Sequence, residues 1–139
     1  ADLELLSNLA GEYYGISRHQ DAQKLYERLA ELDPDGFRYA QIAGNEIQMD
    51  RFDAALHHLQ TAESMDPKLI YSQILYAAVH THCNRYEPAL KYINRALQLA
   101  DEQEKNWPRI LRDKAMIYSR MKEYDLAING DPNDTQTAL

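Results

Sequence analysis

The chain has 139 residues, 45% of them hydrophobic, enough for one domain with an ordinary buried core. A formal charge of −7 repels a phosphate backbone on average, and no Lys/Arg-dense stripe overcomes this locally, so nucleic acid is set aside as a partner. One cysteine, Cys83, leaves no internal disulfide and no metal framework, which fits a reducing compartment and makes the cytoplasm the default expectation.

From the N-terminus, Leu5, Leu6, Leu9, Ala10 and Tyr13 recur at helical spacing and predict a first amphipathic helix that breaks near Gly15. Ala22, Leu25, Tyr26 and Leu29 predict a second. Asp33-Pro34-Asp35-Gly36 follows, with proline where a helix cannot continue but can begin and aspartate available as an N-cap. Asp66-Pro67 marks the next joint in the same way. The pattern then repeats: Ala22, Ala55, Ala89 and Ala127 step by 33, 34 and 38 residues, and Ala10, Ala43, Ala77 and Ala115 step identically. A period in the mid-thirties is that of paired-helix solenoids. The third step is longer because of the charged stretch Asp101 to Asn106, read as a helix end plus loop, after which Asn106 caps a helix with Pro108 in its first turn. In the last unit Tyr124-Asp125-Leu126-Ala127-Ile128 opens a second helix, and the turn-rich Asn129-Gly130-Asp131-Pro132-Asn133-Asp134 cuts it to about two turns. The reading is a single all-α solenoid: repeat 1 over about 3–35, repeat 2 over about 36–69, repeat 3 over about 70–105, a truncated repeat 4 over about 106–128, and a tail at 129–139. Leu126 and Ile128 are left with little to cover them, which makes them a candidate assembly surface.

These landmarks resemble the tetratricopeptide repeat (TPR). Its unit has a small residue midway along the first helix, an aromatic then an alanine early in the second, a further alanine, and a closing proline. Phe52, Ala55, Leu59, Ala62 and Pro67 match in unit two; Tyr86, Ala89, Ile93 and Ala96 match in unit three, with Asp101 where proline is expected. Unit one departs more, with His19 at the aromatic place and Leu29 at the second alanine, while Ala22, Tyr26 and Pro34 hold. The resemblance implies a right-handed helix-turn-helix solenoid of about three and a half repeats with a concave face lined by the first helix of each pair.

Transferred by register, that face holds Glu4, Ser7, Asn8, Gly11 and Tyr14 in unit one, and Phe37, Ala40, Gln41, Gly44, Ile47 and Gln48 in unit two. Unit three supplies Tyr71, Ile74, Leu75, Ala78 and His82, and unit four Arg109, Arg112, Asp113, Met116 and Arg120. The residues carried forward as a peptide-binding groove are Asn8, Tyr14, Phe37, Gln41, Ile47, Tyr71, Ile74, Leu75, His82, Arg109, Arg112 and Arg120. The gradient runs from polar through apolar to basic, which suits a segment with hydrophobic anchors and an acidic stretch. The alternative is that several apolar members pack against neighbouring helices and the arginines are solvated. Some TPR domains clamp the C-terminal carboxylates of heat-shock chaperones with lysine, asparagine and arginine. Here Asn8 keeps one clamp place, but Glu4, Gln41, Tyr71 and Leu75 occupy the others, which argues against that mode.

Other signals fall to structural readings. His57-His58 and His80-Thr81-His82-Cys83 offer no same-face pair at metal spacing, so no metal is expected. Five glycines form no phosphate loop, and no acid pair, triad or HExxH arrangement stands out, so neither an enzyme nor a cofactor is expected. The longest apolar stretch, Leu69 to Val79, falls short of a membrane span, and no direct membrane insertion is expected. Gln136-Thr137-Ala138-Leu139 resembles short tails captured by PDZ domains, a pattern that chance readily produces. The sequence therefore points to a non-catalytic protein-protein interaction module, a scaffold or adaptor holding a partner's peptide segment in its groove. Two alternatives stay open: a secretion-type chaperone for an apolar client, and a self-associating structural protein that stacks through its C-terminal repeat.

Overall fold

The computed structural model describes residues 2–130. Seven helices cover them: α1 (Leu3–Gly15), α2 (His19–Leu32), α3 (Gly36–Gln48), α4 (Phe52–Met65), α5 (Ile70–His82), α6 (Tyr86–Glu102) and α7 (Pro108–Asn129). The PDZ-like tail pattern lies outside the described residues.

Asp2 and Asp35 cap α1 and α3, accepting from the Leu5 N–H at 3.2 Å and the Arg38 N–H at 2.8 Å, whereas Asp66 ends α4 as its C-cap and α5 opens on Leu69 without a side-chain cap. The expected cap at Asn106 is displaced. Proline forces the residue before it into extended backbone, so Trp107 (φ −125°, ψ 89°) is the N-cap of α7 and makes no side-chain capping bond.

The turns inside each pair share one device. Ser17, Asp50 and Asn84 all sit in the left-handed region, at φ 62°, 58° and 58°, and the following arginine N–H returns to a carbonyl five residues back, as Arg51 does to Glu46 at 2.9 Å. These turn residues step by the same 33 and 34 residues as the alanines, which puts Lys122 at the fourth position, followed by Glu123. Neither is a turn former of the Ser/Asn/Asp kind, and both favour helix. The expected break before Tyr124 is accordingly absent: α7 runs on as one helix of 22 residues.

Each of the first six helices packs on its pair partner, α2 packs on α3, α6 on α7, and α3 on α5. The repeated alanines are what allow it. Ala10, Ala22, Ala43, Ala55 and Ala89 are fully buried and Ala77 nearly so, which lets helix backbones approach closely. Within the third pair, rings join α5 to α6: Tyr76 stacks on Tyr92 with centroids 4.6 Å apart, and His80 stacks on Tyr92 at 5.3 Å. The fourth-unit counterparts, Ala115 and Ala127, are exposed, because no eighth helix lies against α7 among the described residues.

Candidate binding groove

The first helices of the four units, α1, α3, α5 and α7, converge on a cavity of about 160 Å³. Tyr14 closes it from α1; Gly44, Ile47 and Gln48 from α3; Tyr71, Leu75, Ala77, Ala78, Thr81 and His82 from α5; Arg109, Asp113, Met116 and Ile117 from α7. Glycine at position 44 makes room for the Tyr71 ring, since a Cβ there would sit 2.8 Å from its hydroxyl oxygen and the ring would have to shift. Burial raises the Tyr71 pKa above its ordinary value, so the hydroxyl is a neutral donor and acceptor facing the cavity. Arg109 Nε donates to Asp113 Oδ2 at 3.3 Å, which fixes the guanidinium on the α7 wall. The cavity thus combines an aromatic and aliphatic floor with one arginine–aspartate pair, a lining suited to an amphipathic chain segment.

Of the twelve groove residues read from sequence, Tyr14, Ile47, Tyr71, Leu75, His82 and Arg109 line this cavity. Ile74 does not. It is fully buried in the core that α5 shares with α6 and α7, because its side of the helix faces the pair partner. Gln41 is half-buried, with a carbonyl oxygen that has no hydrogen-bond partner among the described residues. Phe37 is 45% exposed at the start of α3, its ring 6.1 Å from that of Tyr71 and outside the cavity. Asn8, Arg112 and Arg120 are exposed and not part of this cavity's lining, so of the three arginines Arg109 alone borders it. Leu126 and Ile128 are exposed, at 37% and 60%.

The sequence reading missed a set of polar bridges between helices. Asn45, fully buried, donates to the His19 carbonyl and to Gln23 Oε1, both at 2.8 Å, and ties α3 to α2. His58 Nδ1 donates to Glu46 Oε1 at 2.6 Å, and this bond is the main reason the His58 pKa lies above its ordinary value. Gln73 Nε2 donates to Glu63 Oε2 at 2.8 Å across α5 and α4. No signal for them stood in the sequence, because residues one and two past a buried helical position turn about 100° and 200° away from it, where a solvated face ordinarily falls. Cys83 is half-buried against the apolar core around α4 and α5. Among the described residues no group of three or more His, Cys, Asp or Glu could hold a metal ion, and no helix is long and apolar enough to cross a membrane.

Stacked helix pairs of mid-thirties period, close-packed through alanines around a groove lined by the first helices, define an all-α TPR-like solenoid. No family model matches the chain, and no curated protein matches it in sequence. Among solved structures it is similar to the TPR2B domain of yeast Sti1 in complex with pHsp70, with TM-score 0.74 and 20% identity over 85% of this chain and 97% of that one. It is similar also to the type III secretion translocator chaperone SycD of Yersinia enterocolitica (TM-score 0.71, 22% identity, 87% and 88% covered). A third is PcrH, a Pseudomonas aeruginosa protein, in complex with the chaperone binding region of PopD (TM-score 0.68, 20% identity, 90% and 92% covered). At these identities the likeness is one of fold.

Proposed function

We propose that the chain is a non-catalytic protein-binding module whose groove holds an extended or helical segment of a partner protein. The observation that carries this reading is the cavity itself. Four helices, each from a different unit, bring Tyr14, Tyr71, Leu75, His82, Arg109 and Met116 around one space, and Gly44 lets the Tyr71 hydroxyl sit against α3. Such a lining offers apolar anchoring plus a few fixed polar groups. The fold neighbours support it, because two of them were solved with a peptide or partner region bound.

The test uses two groove variants that spare the core: Met116→Glu, at a residue 42% exposed, and Gln48→Arg, exposed in the cavity wall. Peptides selected from a random display library on the wild-type chain are titrated against each. The expected result is a loss of at least tenfold in affinity with unchanged helical signal and melting temperature. Undiminished binding by both variants would remove the groove as the working surface.

A second reading, a chaperone for an apolar client in secretion, is favoured by the likeness to SycD and PcrH. It separates from an adaptor role by client solubility. A chaperone's client aggregates when expressed alone and is soluble when co-expressed, whereas an adaptor's partner is soluble in both cases.

A further inference from the structure

At one edge of the solenoid the α4–α5 and α6–α7 connectors meet the first turn of α3. There they form a second cavity, of about 300 Å³, lined by Phe37, Asp66, Lys68, Leu69, Ile70, Tyr71, Gln103, Lys105 and Trp107. Tyr71 belongs to both cavities, so the rim site continues the groove across a single side chain. The loops that build it are fixed. Gln103 Nε2 donates to the Lys68 carbonyl at 2.7 Å and joins the α6–α7 connector to the α4–α5 connector, and the Lys105 N–H bonds the Ala100 carbonyl at 2.9 Å.

The chemistry of this rim differs from that of the groove floor. Phe37 and Trp107 offer ring surface, and Phe37 stays 45% exposed despite its contact with Tyr71. Lys68 and Lys105 are exposed and, among the described residues, ion-pair with no carboxylate. The single acid, Asp66, has one oxygen engaged by the Lys68 N–H at 3.2 Å. The lining is therefore net cationic in a chain whose overall charge is −7. The first turns of α5 and α7 carry no side-chain cap, so the positive ends of two helix dipoles add to the same field. Of the arginines expected from sequence to receive an acidic stretch, Arg109 is paired with Asp113, and Arg112 and Arg120 are exposed outside the lining of either cavity.

We propose that the rim site recognises an acidic residue flanked by an apolar side chain in the same partner segment whose apolar anchors fill the groove. The acid lies between Lys68 and Lys105, and its apolar neighbour rests against Phe37 and Trp107. The inference rests on the groove reading and specifies its partner: an apolar segment with an aspartate or glutamate on the side that leaves over Tyr71.

Trp107 is the chain's only tryptophan and stands in the wall of this site, so its emission reports on occupancy. The probes are display-selected peptides and their Asp→Asn or Glu→Gln counterparts, titrated against the wild type and a Lys68→Glu, Lys105→Glu double variant. The expected result has three parts: selected peptides carry an acid on one side of their apolar anchors, they shift Trp107 emission, and they bind the double variant about tenfold more weakly. The amide counterparts bind both proteins alike. Equal affinity of an acidic peptide for wild type and double variant, or an unmoved Trp107 emission at saturation, would overturn the rim proposal. If Met116→Glu still abolishes binding in that case, the groove reading stands without it. Failure of the wild type to select any peptide overturns both.

Discussion

Replacing Ala43 by leucine and, in a separate variant, Ala115 by leucine puts the same side chain at the same position of the repeat in two different surroundings. Ala43 is fully buried among Ala40, Ala55, Leu59 and Val79, where α3 meets α4 and α5. The three added carbons must fit into a close-packed core, and overpacking of such a core costs about 1–3 kcal/mol. With alanine as the contact that sets the α3–α4 separation, the expected cost is toward the upper end, about 2–3 kcal/mol, or roughly 6–10 °C in melting temperature for a domain of this size. Ala115 is exposed on α7, so leucine there displaces nothing and loses only about 0.2 kcal/mol of helix propensity. Urea unfolding followed by circular dichroism reads both, with the slope checked to show that two-state behaviour is kept. A loss at Ala115→Leu comparable to that at Ala43→Leu would refute the reasoning, since it would mean that something already covers this face of α7 in solution.

Two further outcomes follow from the polar bridges. Asn45→Ala leaves the His19 carbonyl and Gln23 Oε1 without their buried donor, and it should cost about 1–3 kcal/mol in the same urea assay; a cost below 0.5 kcal/mol would show that the bridge does not hold α2 to α3. For His58, a pKa raised by its bond to Glu46 means that the bond's contribution is fully present below the unfolded histidine pKa and is lost as pH rises through the higher folded value. The stability difference between wild type and His58→Gln should therefore be larger at pH 6 than at pH 8.5; a pH-independent difference would contradict the charged pair. Using the difference between the two proteins removes the contribution of His80, whose pKa is lowered by desolvation and then by Arg85, and whose effect has the opposite sign.

The amino-acid order by itself determined the repeat. Small residues at a fixed interval can only be explained by helices that must come close, and Ala10, Ala22, Ala43, Ala55, Ala77 and Ala89 are buried for that reason. Helix type and the turns at Ser17, Asp50 and Asn84 are likewise local consequences of periodicity and turn chemistry. Half of the groove was legible, because the register of a straight helix tells which side chains share a face. The rest depended on how far neighbouring helices rotate and approach. That tertiary choice buried Ile74 in the core, left Phe37 at the rim, and left Arg112 and Arg120 exposed outside the cavity lining. It also sent Asn45, Glu46 and Gln73 inward, where each found a partner on another helix that no spacing within its own helix could reveal. The course of α7 lay between the two: Lys122 in place of a left-handed turn former was there to be read, but its effect depends on what does or does not pack against the helix beyond it.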